Sequence, residues 1–350
     1  MSVAKRLNGP LGTFLAPLGW LYGAVAALRV HAYRKGWKAS KRPPLPTLSI
    51  GNISAGGTGK TPLLLEALRW LEQHDATIGV LSRGYGGDEG ILLRNRFPKV
   101  SLVEDPDRRR GLQTLLSGGR PEVLLLDDGF QHLKLQRDVD VVLMDATCPF
   151  GRCLPAGLFR ERLSALARAD LVILSRVDLV DQATRDTIWQ RVAASRPELS
   201  TPRVEGRMAP SVIRSLEDQS EQNCRGWQGK EVGLAAGIGN PDSFRVLAEE
   251  LGMVVRAEHR LPDHHPWTPE LVHKLKRGDI GGWNGPWLVT EKDAVKIDPG
   301  TKDFFELLVD WEFVSGADDF HQHLAALHLP ARAARIEPLW AAHDPEGKGY

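Results

Sequence analysis

The chain has 350 residues, 42% hydrophobic and 25% charged, ordinary for a soluble globular protein with room for two domains. A net charge of +1 supplies no global field for nucleic acid, and none is expected as a partner. Cys148, Cys153 and Cys224 match neither a metal-ligand spacing nor an even disulfide set, and read as reduced thiols of a cytosolic protein.

Residues 7–28 carry no charge and run into a basic stretch: Arg29, His31, Arg34, Lys35, Lys38, Lys41 and Arg42. About twenty apolar residues are enough to span a bilayer, but Pro10, Pro17 and several glycines interrupt this segment. Trp20 and Tyr22 favour an interface, and the basic stretch suits anionic headgroups. Residues 1–42 are therefore expected to be a membrane-associating segment, a helix or helical hairpin lying in or dipping into the cytoplasmic leaflet. A signal peptide, a single-pass span and a helix packed on the protein's own core are the alternatives. The dense positive charge that follows opposes export.

The first strand, TLSI at 47–50, feeds the stretch GNISAGGTGKTP at 51–62, which precedes a leucine-rich helical pattern. Strand, glycine-rich loop and helix in that order make a phosphate cradle, with backbone N–H groups turned inward and a helix N-terminus behind them. Lys60 would reach the β- and γ-phosphates and Thr61 would ligate Mg²⁺. Ser54 stands where the usual pattern has its first glycine. A second strand, 76–84, ends in the glycine-dense SRGYGGDEG, expected as a loop. A third strand at 100–105 and a helix at 107–117 follow.

VLLLDD at 123–128 is an apolar strand tipped by Asp127 and Asp128, the acidic half of a phosphate-loop site, with His132 close by in GFQH. Strands at 138–146 and 169–181 complete an alternation that predicts a parallel, doubly wound sheet. SRVDL at 175–179 loosely resembles the guanine-reading segment of GTP-binding proteins; otherwise Asp178 is a strand-end cap or part of a base pocket. The polar stretch 201–230 reads as an inter-domain connection. Beyond it, 231–239, a helix at 241–251, 253–261 and 286–297 form a second α/β unit. GIGN lacks the third glycine of a dinucleotide fingerprint. Asp263, His264 and His265 gather in one loop. Residues past 335 are expected to be disordered.

Taken together, WLYG, GNISAGGTGKTP, SRGYGG, GDEG, DDGFQH, RDVDVVLMDA, LPAG with Arg160-Glu161, AGIGNPDSF, LPDHHPWT and TEKDAVK resemble the tetraacyldisaccharide 4′-kinase family nearly end to end. That family also carries Ser or Thr in place of the first loop glycine. The resemblance implies a phosphate-loop NTPase-type doubly wound, mostly parallel α/β sheet, a second smaller α/β domain and the N-terminal membrane-associating helix. The expected division is 1–42 for that segment, 43–200 for the kinase domain, 201–335 for the second domain and 336–350 for a flexible tail.

It further implies that Ser54, Ala55, Gly56, Gly57, Thr58, Gly59, Lys60 and Thr61 bind ATP, and that Thr61 with Asp127 or Asp128 holds Mg²⁺. Asp88, paired with His264, would activate the sugar hydroxyl while Lys60 and the loop amides spread the developing charge. The sequence departs from the family in reading GDEG rather than GDEP, fused to SRGYG, which makes Glu89 the nearby substitute for Asp88. The implied substrate is an acylated glucosamine disaccharide 1-phosphate, met at the cytoplasmic face of the inner membrane; Arg83, Arg160 or the basic residues at 34–42 would meet its phosphate. No protein partner is legible. The rival readings are a membrane-associated regulatory or assembly NTPase, and a soluble small-metabolite kinase.

Overall fold

A computed structural model describes residues 10–84, 87–197, 202–239, 241–263 and 265–328. His264 and the tail past 335 lie outside the described residues. The described chain divides into two compact units. The first takes the chain up to Arg83, Lys99–Arg207 and the chain from Trp311 on; the second takes Gly84–Pro98 and Met208–Asp310. The sequence reading placed one boundary near residue 200, whereas the second unit also recruits the short insert 84–98.

The first unit opens with helices α1 (Pro10–Phe14) and α2 (Ala16–Arg34). Gly19 and Gly23, one turn apart, form the inward face of α2. A methyl group on Gly19 would stand 2.7 Å from both Ala156 Cβ and the Cys153 carbonyl oxygen, and one on Gly23 would meet Cys153 Sγ at 3.1 Å. Only glycine permits this approach. The bulky residues face outward instead: Phe14 is 82%, Trp20 67% and Leu28 61% exposed. Among the described residues no helix is long and apolar enough to cross a membrane.

Strand β1 (Thr47–Asn52) is buried throughout and pairs in parallel with β4 (Val123–Asp127) and β5 (Val139–Asp145). Outward from β4 lie β2 (Ile78–Ser82) and β3 (Ser101–Glu104). Outward from β5 lies β6 (Leu171–Ser175), then the start of β7 (Val204–Ser215). The near-continuous apolar runs in β2, β4 and β6 suit strands covered on both faces. Helix α3 (Lys60–Gln73) leaves β1 for β2 on one side, while β5 and β6 lie on the other. Strand order therefore reverses at β1, and a doubly wound sheet opens its ligand crevice at that point.

In the second unit the stretch expected as a loop after Arg83 is helical from Asp88 to Arg96 (α4), with Asp88 and Glu89 in its first turn. Acids suit that position because they face the positive end of the helix dipole. The region expected as a connection contains β7 itself and the antiparallel β8 (Glu221–Asn223). Half-burial of β7 explains why its polar and small residues conceal the strand from a hydrophobicity reading. Then come β9 (Glu231–Ala236), α7 (Pro241–Glu250), β10 (Val254–Arg260), α8 (Pro269–Lys276) and β11 (Trp287–Thr290), after α5 (Arg108–Gly118) and α6 (Gln182–Ala194) of the first unit. The segment 286–297 is not one strand. Thr290 caps a helical turn, α9 (Glu291–Ala294), by accepting from the Asp293 N–H. Strand β12 (Phe304–Ser315) leads back to the first unit, where α10 (Ala317–His328) ends the described chain.

Candidate active site

The loop after β1 is shaped by its own glycines and by the segment 158–161 behind it. Gly56 (φ 117°) and Gly59 (φ 90°) take conformations that L side chains rarely adopt. Gly59 is the residue before α3, so Lys60 and Thr61 open that helix with its unpaired N–H groups beneath them. Ala55 N–H donates to the Leu158 carbonyl (2.7 Å) and Arg160 N–H to the Ile53 carbonyl (2.8 Å). Asn52, at the end of β1, donates its amide to Thr58 Oγ1 at 3.0 Å. The loop is thus braced from two sides, as an anion cradle made of backbone must be.

Charged groups converge beside it. Lys60 Nζ lies 3.5 Å from Asp128 Oδ1, and Arg160 donates to Asp128 Oδ2 at 2.8 Å. Burial works against the charge on Asp128, but Lys60 and Arg160 outweigh it and hold its carboxyl below the usual range. Asp128 also has φ 50°, a left-handed conformation in a non-glycine residue, which surrounding contacts must enforce. Its neighbour Asp127 is buried and accepts from Ser82 Oγ (3.2 Å) at the tip of β2. Gln131 bridges the group, donating to the Asn52 carbonyl (2.8 Å) and to Glu161 (3.1 Å). Glu161 is clamped by both terminal nitrogens of Arg168 at 2.6 and 2.7 Å. His132 is pushed down to about 4, by burial first and then by Arg108, Lys134 and Arg137, so it is neutral at physiological pH.

Arg176 has a role that the sequence reading missed. That reading weighed Asp178 in SRVDL as a base contact, yet Asp178 is exposed on a short turn, Val177–Leu179. Arg176, at a strained φ of 57°, donates to the Gly57 carbonyl at 2.7 Å and forms a short ion pair with Asp145. In a trans peptide the carbonyl and the next N–H point in opposite directions. Holding the Gly57 oxygen outward therefore turns the Thr58 N–H the other way. The only sequence signal for this was an arginine directly after a buried strand.

A narrow cleft of about 50 Å³ lies between α2 and this cluster, lined by Tyr22, Ala26, Arg29, Gln131, Arg160 and Glu161 among others. Arg29 donates to the Gln131 carbonyl at 3.3 Å. The basic residue of the N-terminal helix that meets the site is thus Arg29, upstream of the 34–42 stretch weighed from sequence.

Asp88 belongs to the second unit, where it is 3% exposed and lies 3.1 Å from Lys296 Nζ. Glu89 is paired with Lys292. Of the residues expected to act together, the structure gathers Lys60, Asp127 and Asp128 at the loop after β1 and carries Asp88 on α4.

The family model for Tetraacyldisaccharide-1-P 4′-kinase matches residues 11–328. A tetraacyldisaccharide 4′-kinase of Syntrophotalea carbinolica is 36% identical over 310 residues, covering 81% of this chain and 83% of its own. One from Anaeromyxobacter dehalogenans is 35% identical over 349 residues, with 90% and 91% covered. In three dimensions the chain is similar to LpxK from Aquifex aeolicus, crystallised with ATP, with a TM-score of 0.74 and 27% identity. That match covers 91% of this chain and all of the other. With a family match along nearly all its described length, the chain belongs to the tetraacyldisaccharide 4′-kinase family.

Proposed function

We propose that the protein transfers the γ-phosphoryl group of ATP to the 4′-hydroxyl of a tetraacyldisaccharide 1-phosphate, giving lipid IVA. The observation that carries this reading is the convergence of Lys60 and Arg160 on Asp128 beside a braced glycine loop, in a chain matched over 11–328 by the family model. Phosphoryl transfer needs alignment and charge neutralisation more than covalent chemistry from the protein. The loop residues Ser54 to Thr61 bind the phosphates through backbone N–H groups, and Lys60 offsets charge on the β- and γ-oxygens. Asp88, oriented by His264, accepts the proton of the 4′-hydroxyl as its oxygen bonds to phosphorus, and ADP leaves with the electrons of the broken bond.

Among the described residues no cluster of three or more His, Cys, Asp or Glu side chains forms a cage for a metal. The donors beside the loop are instead two carboxylates and a hydroxyl: Asp127, Asp128 and Thr61. That hard-oxygen set suits a Mg²⁺ ion which keeps water and phosphate oxygens as further ligands. The buried Oδ1 of Asp128 makes no hydrogen bond among the described residues, with Lys60 Nζ 3.5 Å away, which also fits a metal contact. Held by Asp127, Asp128 and Thr61, Mg²⁺ bound with ATP would neutralise phosphate charge.

The substrate's acyl chains keep it in a bilayer, so the enzyme works at the cytoplasmic surface of the inner membrane. Phe14 at the end of α1 and the outward row of α2, Trp20, Leu21 and Leu28, supply the apolar contact. Arg29 and Arg160 line the cleft beside it, and in this reading they would meet the 1-phosphate. Transfer of label from [γ-³²P]ATP to the purified disaccharide in mixed micelles tests the reading. A labelled lipid is expected. Release of free phosphate with no labelled lipid would support the regulatory NTPase instead.

A further inference from the structure

The second unit contains a buried chain of charges that the phosphate loop does not explain. At its centre is Asp293, fully buried on the turn after β11. It is held from three directions: by the Gly237 N–H at 3.0 Å, Trp267 Nε1 at 3.0 Å and Thr290 Oγ1 at 2.6 Å. So many fixed donors leave its carboxylate little freedom to move. Lys296, one turn further on, brings its ammonium to 3.7 Å from Asp293 Oδ1 and 3.1 Å from Asp88 Oδ2. Its side chain is only 14% exposed. A rigid acid thus anchors a lysine, and the lysine reaches the acid proposed as the base.

We infer that Lys296 is a positioning residue, holding the Asp88 carboxylate ionised and aimed to accept the substrate's proton. The inference rests on the reading of Asp88 as the base. Burial alone favours the protonated form of a carboxyl group, which cannot take a proton from an alcohol. The Lys296 ammonium at 3.1 Å opposes that preference, and the N-terminal turn of α4 adds to it. Among the described residues, the charged groups beside the pair include Asp293, which lies 3.7 Å from Lys296, and Lys292, which pairs with Glu89 and also feels Asp88 and Asp263. Lys296 is a cation that reaches Asp88 Oδ2 directly, at 3.1 Å. An ammonium is a point charge that engages one carboxylate oxygen, whereas a guanidinium tends to engage both.

The test compares Lys296→Met, Asp88→Ala and the double variant of the full-length protein in mixed micelles. Lys296→Met keeps the packing volume and removes the charge. It is expected to lower kcat about 10²-fold, the scale of a misplaced reacting group, with KM for ATP unchanged within about twofold. The acid limb of its kcat–pH profile is expected to move up by about one unit. The double variant should be no slower than Asp88→Ala alone, because both changes disable one function. A Lys296→Met enzyme with near-normal kcat, or a double variant slower again by about 10², would overturn the inference. Near-normal turnover in Asp88→Ala would instead remove the base reading. If Lys296→Met fails to fold, Lys296→Arg is assayed the same way. It should stay within about tenfold of the parent with its acid limb in place, and a loss equal to that of Asp88→Ala overturns the inference.

Discussion

The two units handle buried acids differently. In the first, Asp128 is bracketed by Lys60 and Arg160 beside a loop of backbone amides, so cations are gathered where phosphate charge must be received. In the second, Asp88 faces Lys296, itself steadied by Asp293, so a buried acid is paired with a buried cation. On the proposed mechanism, the first arrangement accepts negative charge and the second holds a proton acceptor ready. Their disruption should therefore read out in different kinetic constants.

The sharpest break is between Lys60→Ala and Asp88→Ala. Both should lower kcat by about 10²–10⁴. Lys60→Ala should also weaken ATP binding, measured by calorimetry, while Asp88→Ala leaves it nearly unchanged. Equal effects on ATP affinity would erase the distinction between the units. A change of about tenfold is expected when the outer row of α2 is altered. Trp20→Ser with Leu28→Ser should reduce partitioning into anionic vesicles by about that factor, since each exposed side chain forfeits roughly 0.7 kcal/mol of partial burial. ATP affinity should not follow.

A comparable step is expected at Arg176. Arg176→Gly relieves the left-handed backbone but removes the grip on the Gly57 carbonyl. ATP affinity should fall about tenfold, from the loss of a charge-assisted hydrogen bond, and thermal stability should fall as well because the largely buried Asp145 loses its cation. Unaltered affinity would mean that the loop holds its own shape.

The smallest effects concern pH, and they have opposite signs in the two units. His132, lowered to about 4, is neutral in the fold but takes a proton in the unfolded chain below about 6.5. Stability therefore falls as pH drops through that window, and His132→Gln should flatten the slope. Glu306 is raised to about 7, by burial and then by Glu291 against the pull of Arg214, so the fold retains a proton that the unfolded chain has released. Its contribution is present at low pH and is lost as pH rises from about 4.5 to 7, and Glu306→Gln should remove that loss. Each effect should be about 1–2 kcal/mol after solvent screening, measured by denaturant titration at several pH values.

Strands β2, β4 and β6 were legible because they are apolar along most of their length, and the loop between β1 and α3 because glycine spacing and Lys60-Thr61 carry the chemistry in the sequence itself. Asp127 and Asp128 followed from their place at a strand tip. Arg176 and Lys296 were not legible. Each acts through a partner far away in sequence, Gly57 in one case and Asp88 in the other, and no local period marks such a pairing. The helix at Asp88–Arg96 was hidden by the glycines before it, and β7 by its half-exposed polar residues. The contact division of 84–98 with 208–310 is likewise a property of folding that no composition shift announces.

The seam under α2 has a consequence for how this helix can vary. Since a methyl on Gly19 would strike the Cys153 carbonyl and Ala156 Cβ, enlarging it forces the helix off its seat, whereas at Gly23 the Arg162 and Cys153 side chains would have to give way. The positions on its far side touch no such constraint. A saturation library across 16–34 should consequently show tolerance in stripes, with a strict point at Gly19, a milder one a turn later at Gly23, and a freely exchangeable outer row whose only shared requirement is greasiness.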